Sequence, residues 1–327
     1  MLEATTALER AIRSQPTELE RLAGADLGRV VETLESARRL WLIGTGTSQH
    51  AAELGAAMLR EGGRDAVAVS SMQFVKWPPP LDRGDAVVLI SHNAGAETAY
   101  AAAAHARALR EGLTVLPVTR QGGGLPNALE TVAQERSHTY TVSYTAVLLL
   151  LARIAGALGA SALGPEAVRR VPDAVRRALE DPGTDDLEQP GRLLVLFGAG
   201  PASVTAREGA LKLREASRLP AEGYDVEYLL HGSAVPLGPD DVMIALFPPD
   251  TDGMVEAVAA AAEAAGVPVR RVREDAELPP ALAQIPLTVR LQLLALRFAL
   301  ERRRDPDVVI EGPWADEALW AIGAPAP

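Results

Sequence analysis

The sequence predicts an α/β protein built from two tandem, doubly wound parallel sheets, and three observations support this fold class. The chain has 327 residues, enough for two domains of about 150 residues each. Short apolar runs without polar alternation recur along it, a pattern typical of strands buried on both faces of a parallel sheet. Ala-rich segments long enough for helices separate these runs, and alternating strands and helices predict a doubly wound sheet.

The second half of the chain repeats the pattern of the first. Three pairs of strand-like runs match: RRLWLIGTG at 38–46 with RLLVLFGAG at 192–200, GDAVVLISH at 84–92 with DDVMIALFP at 240–248, and GLTVLPVT at 112–119 with GVPVRRVR at 266–273. Their offsets are 192 − 38 = 154, 240 − 84 = 156 and 266 − 112 = 154. A nearly constant offset over three runs indicates a duplicated unit.

The elements of the first copy follow from this pattern. Strands are predicted at 40–43, 66–70, 86–91 and 114–118, and crossover helices at 51–61 and 97–111. Four prolines and a run of charges mark a junction between the copies. The predicted domains are a helical arm at 1–24, a first domain at 25–163, a linker at 164–190, and a second domain with a C-terminal tail at 191–327.

Composition excludes several classes of function. Cysteine is absent, so disulfides, thiolate nucleophiles and cysteine-based metal sites are excluded, which fits a reducing cytoplasm. The net charge of −11 argues against binding to nucleic acid or to anionic membranes. The first 22 residues lack a basic region followed by an apolar core, so we expect a cytoplasmic protein without a signal peptide or membrane span.

A glycine-rich turn at Gly44-Thr-Gly-Thr-Ser48 joins the first strand to a helix. Such a turn presents backbone N–H groups at a helix N-terminus, where phosphate binds, and Thr47 and Ser48 add hydroxyl donors. A dinucleotide site is disfavoured, because Gln49 stands at the sixth position of that fingerprint and no acidic residue closes the second strand. A tight turn with an N-cap serine is the remaining alternative.

Two further turns carry small and hydroxyl residues. Ser91-His-Asn-Ala-Gly-Ala-Glu-Thr98 follows the third strand, and Thr139–Thr145 precedes an apolar helix. Each residue could simply cap a helix, but we expect the three turns to meet at one edge of the sheet. Their convergence favours an anion site.

The second copy carries a charged pattern on a predicted helix. Glu208, Lys212 and Glu215 are spaced four and three apart and therefore share one helix face. The alternative interpretation is a solvated ion-pair stripe. His231 lies among leucines, where a packed core histidine is the alternative to a catalyst, and the other four histidines show no metal-ligand spacing with it.

These residues match a family. EGALKLREAS at 208–217, followed by AEGY and LLHG, resembles the isomerase half of glucosamine-6-phosphate synthase and other sugar isomerase (SIS) domain proteins. GTS at 46–48, SYTA at 143–146 and QLLA at 292–295 extend the resemblance from about Trp41 to Asp307. It implies two tandem SIS domains of flavodoxin-like fold that bind a sugar phosphate, without a metal or an organic cofactor.

The resemblance also implies roles for the charged residues. Glu215 matches the carboxylate that moves a proton between C1 and C2 of the sugar through an enediol, and Lys212 matches a lysine at the developing oxyanion. Glu208 matches the acid paired with that lysine. His231 matches the histidine that opens the sugar ring, reaching the site from the neighbouring subunit of a homodimer. Sugar-phosphate contacts are expected from Gly46, Thr47, Ser48, Ser91, Asn93, Glu97, Thr98, Thr141 and Ser143.

The chain departs from this family at several points. No glutamine-hydrolysing domain is expected, because the 327 residues contain no cysteine to serve as its nucleophile, and the C-terminal lysine that forms a Schiff base with the ketose has no match. Only Glu97 and Thr98 are kept from the SxSGET loop, and Tyr228 replaces the acid three residues before the histidine. The predicted function is a phosphosugar isomerase or amino-sugar-phosphate deaminase without glutamine amidotransferase activity; the alternative is a non-catalytic sugar-phosphate sensor.

Overall fold

The chain folds as an α/β protein with two parallel sheets, as the sequence predicts. A computed structural model describes residues 5–93, 99–249, 252–274 and 277–325. It divides into two compact units. The first-sheet unit comprises 18–135, 142–169 and 310–327, and the second-sheet unit comprises 1–17, 136–141 and 170–309.

Twelve elements precede residue 190 in the described part of the chain, apart from a 3-10 turn at Ser161–Leu163. They are α1 (Ala7–Ala23), α2 (Gly28–Glu35), β1 (Leu40–Gly44), α3 (Thr47–Glu61), β2 (Ala66–Ser70), α4 (Ser71–Lys76), β3 (Ala86–Ile90), α5 (Ala99–Arg110), β4 (Thr114–Thr119), β5 (Leu129–Glu130), α6 (Val142–Ala157) and α7 (Pro165–Glu180). The helix α7 occupies much of the segment predicted as a linker.

The first sheet has the strand order β2-β1-β3-β4-β5 with every pair parallel. Its strands agree with the predicted ones to within one residue at each end. Both faces are covered, since β1 and β3 are buried along their whole length. On one face Trp41, Ile43 and Phe74 belong to an apolar cluster with residues of α5.

The remaining elements begin with β6, and a π turn at Leu229–Ser233 and a 3-10 turn at Gly312–Ala315 lie among them. They are β6 (Leu194–Gly198), α8 (Pro201–Ser217), β7 (Ala221–Asp225), α9 (Val226–Tyr228), β8 (Val242–Phe247), α10 (Met254–Ala264), β9 (Val269–Arg273), α11 (Pro280–Glu301) and α12 (Glu317–Ala321). The second sheet has the strand order β7-β6-β8-β9, again entirely parallel.

A glycine on the helix after the first strand lets that helix pack closely in each unit. A Cβ on Gly55 of α3 would lie 2.6 Å from Cδ1 of Leu151 and 2.9 Å from Cδ2 of Leu42. A Cβ on Gly209 of α8 would overlap Leu291 of α11 in the same way. Contacts this short leave no room for a methyl group, so both positions require glycine.

An arginine–aspartate pair also recurs at the start of the two sheets. Arg38 Nη2 lies 2.7 Å from Oδ1 of the buried Asp85. In the second-sheet unit Arg192 Nε donates to Oδ1 of the buried Asp241 over 2.9 Å. Each aspartate also accepts the backbone N–H of the residue three positions before it, Asp82 and Gly238 respectively.

Within the residues that the structure describes, no helix has the length and apolar character needed to cross a bilayer.

Candidate functional site

The turn after β1 is shaped by two glycines. Gly46 precedes α3 with φ 56° and ψ −128°, a conformation open almost only to glycine. A Cβ on Gly44 would overlap the backbone of Ser48, so the chain turns sharply here. Thr47 and Ser48 are therefore the first two residues of α3, half-buried at the carboxyl edge of the sheet. A helix N-terminus with two hydroxyls suits an anion.

The turn after β3 lies at the same edge of the sheet. Ser91 and Asn93 are half-buried, and the Ser91 N–H donates to the carbonyl of Val118 over 3.0 Å. The carbonyl of His92 accepts the Arg120 N–H and the Thr119 hydroxyl, at 3.1 and 3.0 Å. These bonds hold the turn against the end of β4. Glu97 and Thr98 lie outside the described residues.

A carboxylate that the sequence interpretation missed caps α6. Oε1 of Glu135 accepts the N–H of Ser143 over 2.9 Å, and the Glu135 N–H donates to Nε2 of His92 over 3.3 Å. Glu135 and Ser143 are 6% and 5% exposed. Glu135 stands eight residues before the serine, outside the usual N-cap spacing, so no local sequence signal identifies it. Thr141, fully buried, belongs to the second-sheet unit, whereas Ser143 belongs to the first-sheet unit.

The structure brings the three charged side chains of α8 together. Nζ of Lys212 lies 3.5 Å from Oε1 of Glu208 and 2.5 Å from Oε2 of Glu215. The side chains of Glu208 and Lys212 are fully buried, and that of Glu215 is 20% exposed. The interpretation of this face as a solvated ion-pair stripe is therefore wrong. Buried charges of this kind are stable only when they are paired.

The local sequence explains where α8 lies. Gly200 precedes the helix with φ 54° and ψ −126°, nearly the values of Gly46, and Pro201 occupies its first turn. Gly209 then allows close packing on α11 and β6. The charged face follows along the same helix, whose end carries Arg218 in the left-handed conformation.

His231 lies on the surface of the second-sheet unit. It belongs to the π turn after α9, where His231 and Gly232 leave helical geometry, and its side chain is exposed. The alternative of a packed core histidine is therefore wrong. Nearby, the rings of Tyr224 and Tyr228 stack with centroids 5.9 Å apart. The hydrogen bond from the Tyr224 hydroxyl to the Glu222 carboxylate raises the pKa of Tyr224.

Each unit thus holds one part of the predicted site. The first-sheet unit places Gly46, Thr47, Ser48, Ser91 and Asn93 at the carboxyl edge of its sheet, with Ser143 at the start of α6. The second-sheet unit joins Glu208, Lys212 and Glu215 in one contact network and carries His231 on a separate, exposed turn.

Comparison with known proteins matches a family to one part of the chain. Residues 33–153 match the family model of the SIS domain. Over these residues the chain is similar to the SIS domain family. The matched residues include the turns after β1 and β3 and the start of α6, which carry predicted phosphate-binding residues.

Curated relatives extend the similarity beyond the SIS domain. The chain is 28% identical over 326 residues to the glutamine–fructose-6-phosphate aminotransferase (isomerizing) of Methanothermobacter thermautotrophicus, covering 91% of this chain and 54% of the relative. The aminotransferase of the same name from Pyrobaculum aerophilum is 29% identical over 339 residues, with 91% and 55% covered. The chain spans about half the length of the curated relatives it matches.

Solved structures share the fold. Tagatose-6-phosphate ketose/aldose isomerase from Escherichia coli has a TM-score of 0.75 at 19% identity, covering 95% of this chain and 97% of the other. Glucosamine-6-phosphate deaminase from Thermotoga maritima has a TM-score of 0.75 at 20% identity, with 92% and 97% covered. At these identities the likeness shows the α/β fold with two parallel sheets.

Proposed function

We propose that this protein is a phosphosugar isomerase or amino-sugar-phosphate deaminase in which Glu215 moves a proton between C1 and C2 of an open-chain sugar phosphate. The contact between the fully buried ammonium of Lys212 and the Glu215 carboxylate, which is 20% exposed, carries the proposal. Moving a charged side chain out of water costs roughly several kcal/mol per ion, and pairing with an opposite charge offsets only part of that cost. Charged side chains that remain buried despite this cost are candidates for a catalytic role.

The proton transfer balances without a co-reactant. The Glu215 carboxylate takes the proton from C2, the C–H electrons form the C1–C2 double bond, and the carbonyl oxygen O1 takes a proton. Glu215 then returns its proton to C1 while O2–H loses its own, giving the 2-ketose. Lys212 is the cation for the oxyanion that develops, and Glu208, 3.5 Å from its Nζ, holds that cation in place.

For the substrate we propose a sugar phosphate held by the turns of the SIS domain. Gly46, Thr47 and Ser48 support this, because they form a glycine-shaped helix N-terminus with two hydroxyls. Ser91 and Asn93 end the neighbouring strand. Ser143 would contribute its hydroxyl, since its N–H is bound by Glu135.

The remaining substrate contacts rest on the family resemblance. Thr141, Glu97 and Thr98 complete the proposed set as the residues that match the family's binding positions.

We further propose a homodimer with His231 at the interface. The surface around His231 supports it: Tyr228, Leu230 and Val235 are 65%, 53% and 84% exposed. Large apolar side chains grouped on a surface mark contacts with a partner. In the dimer His231 would open the sugar ring in the site of the neighbouring subunit.

We also propose that the two units are copies of one ancestral unit, each doubly wound. The similar backbone angles of Gly46 and Gly200, 154 positions apart, support the duplication. The pairs Arg38–Asp85 and Arg192–Asp241 support it independently. The domain boundaries at 25–163 and 191–327 remain a prediction.

The experiment is a thermal-shift screen with fructose 6-phosphate, glucosamine 6-phosphate and tagatose 6-phosphate, followed by proton NMR in D₂O. We expect at least one sugar phosphate to raise Tm. Deuterium should replace the C2 proton of glucosamine 6-phosphate, or a C1 proton of the two ketoses, which carry no proton at C2. Glu215→Gln should abolish exchange while keeping the thermal shift, because the amide cannot take the proton. Glu227→Gln, an exposed glutamate on α9, is the matched control and should exchange at the wild-type rate.

The outcomes separate the alternatives. A thermal shift without exchange in the wild-type protein would contradict the enzyme and favour a sugar-phosphate sensor. Exchange that survives Glu215→Gln would show that another group is the base. Release of ammonia from glucosamine 6-phosphate distinguishes the deaminase from the isomerase.

A further inference from the structure

The residue that ends the charged helix has an unfavourable backbone. Arg218 follows Ser217, the last residue of α8, with φ 58° and ψ 24°. This left-handed conformation is common for glycine after a helix and unfavourable for a residue with a Cβ. A non-glycine residue keeps such a conformation only where the surrounding structure holds it, so the contacts of the Arg218 side chain need to be considered.

The guanidinium of Arg218 joins two parts of the second-sheet unit. Its Nη1 donates to the carbonyl of Glu215, and its Nη2 donates to the carbonyl of Val308. The Glu215 carbonyl lies in the last turn of α8, where carbonyls have no partner within the helix. Val308 lies next to residue 309, the last of this unit. The guanidinium of Arg218 therefore links the end of α8, which carries Glu215, to segment 305–309 at the end of this unit.

The chain offers a natural comparison at the end of a second helix. Arg303 follows the end of α11 with φ 53°, so its backbone is left-handed as well. Its side chain is exposed and makes no hydrogen bond or ion pair among the residues that the structure describes. Arg303 thus shares the backbone of Arg218 without the contacts of its guanidinium.

We propose that Arg218 is a positioning residue that fixes Glu215 relative to segment 305–309, and that the unfavourable left-handed backbone of Arg218 is the energetic cost of this link. The importance of Arg218 for proton transfer rests on the proposed function of Glu215. The hydrogen bonds that form the link do not depend on that function. The planar fork of a guanidinium can reach two carbonyls at once, whereas the ammonium of a lysine offers a single point of charge.

The test compares four variants of the full chain: Arg218→Ala, Arg218→Gly, Arg218→Lys and Arg303→Gly. Alanine keeps the unfavourable backbone and glycine relieves it, so the glycine variant should melt about 2 °C or more above the alanine variant. Neither keeps the guanidinium. C2 exchange should therefore fall about ten- to a hundredfold in both, because small displacements of a catalytic group cost this much. Lysine should recover part of the rate.

Hydrogen–deuterium exchange supplies a readout that needs no substrate. The N–H of Asp307 donates to Oδ1 of Asp305, and the N–H of His138 donates to the carbonyl of Asp307. These two amides should exchange about tenfold faster in Arg218→Ala and Arg218→Gly than in the wild type, since the tie to Val308 is lost. Arg303→Gly should raise Tm and leave both the amide exchange and the C2 exchange unchanged. Recovery of activity together with Tm in Arg218→Gly would overturn the proposal, because Arg218 would then matter only through its backbone.

Failure of the proposed function gives a different pattern. If no sugar phosphate exchanges a proton in the wild type, Glu215 is not shown to be a base, but faster amide exchange at His138 and Asp307 in Arg218→Gly still supports the link. Unchanged protection of these two amides in all three Arg218 variants would overturn the link, whatever the activity.

Discussion

Nζ of Lys212 lies 2.5 Å from Oε2 of Glu215, and the ammonium is fully buried while the carboxylate keeps some access to solvent. The pair therefore has a buried side and an open side. A carboxylate on the open side can meet a ligand. The buried cation behind it determines where that carboxylate points.

Replacement of Lys212 by methionine should destabilise the protein strongly. Methionine fills a similar volume, but it leaves the fully buried Glu208 without its cation. Leaving one partner of a buried pair uncompensated costs about 3–5 kcal/mol. Urea denaturation at pH 7 measures the loss. Lys76→Met is the matched control, because Lys76 is exposed, and its effect should stay within about 0.5 kcal/mol.

The double variant Glu208→Gln with Lys212→Met tests the cause of that loss. Removing both charges removes the uncompensated carboxylate, so the double variant should recover part of the stability lost in Lys212→Met. A double variant that is as unstable as the sum of the single ones would contradict the pairing.

The strands and the charged face of α8 could be predicted from the sequence because their signals are local. Apolar runs identify strands such as β1, and the spacing of Glu208, Lys212 and Glu215 places them on one face of a helix. Burial of that face could not be predicted from the spacing, because an exposed ion-pair stripe has the same pattern.

The features that the sequence interpretation missed depend on contacts between distant residues. Glu135 caps α6 from outside the usual capping positions, so its role follows only from the fold. Arg218 bonds to Val308, 90 residues away, and an arginine gives no local signal for a left-handed backbone. The C-cap signal that a sequence offers is glycine, and here it is absent.

Alanine at Gly209 should destabilise the second-sheet unit, although alanine normally favours a helix over glycine by about 1 kcal/mol. The added methyl would overlap Leu291 and lie 2.9 Å from Cδ2 of Leu196. Overpacking of a core costs about 1–3 kcal/mol, which exceeds the gain in helix propensity. Urea denaturation measures the net effect. Gly238→Ala is the control, since no atom lies within 4 Å of its Cβ position; an equal loss there would refute the packing argument.

Stability should fall in acid partly through Asp241. Burial raises the pKa of Asp241, but hydrogen bonds from Arg192 and from the Gly238 N–H outweigh it, so the pKa lies below its ordinary value. A carboxylate with a lowered pKa stabilises the fold above its pKa in the unfolded chain. That contribution disappears as the pH falls through the folded-state pKa.

Asp241→Asn should therefore lose about 1–3 kcal/mol at pH 7, and its difference from the wild type should shrink as the pH falls below about 5 towards the folded-state pKa. Urea denaturation between pH 3 and 7 checks this. Asp240→Asn, an exposed neighbour, should follow the wild-type curve at every pH. A constant difference between Asp241→Asn and the wild type across this range would exclude the charge of Asp241 as the cause.

The surface around His231 should control assembly. Val235 is 84% exposed and Leu230 53%, and in the proposed homodimer both are buried. A charge placed there must be desolvated on association, so Val235→Lys with Leu230→Glu should convert the dimer to a monomer, as measured by sedimentation velocity. Met72→Lys, at a 47% exposed methionine of the first-sheet unit, should leave the mass unchanged.

If His231 acts in the neighbouring subunit, mixing inactive His231→Asn with inactive Glu215→Gln should restore C2 exchange, because a mixed dimer contains one complete site. A mixture that stays inactive while exchanging subunits would place His231 outside the partner's site.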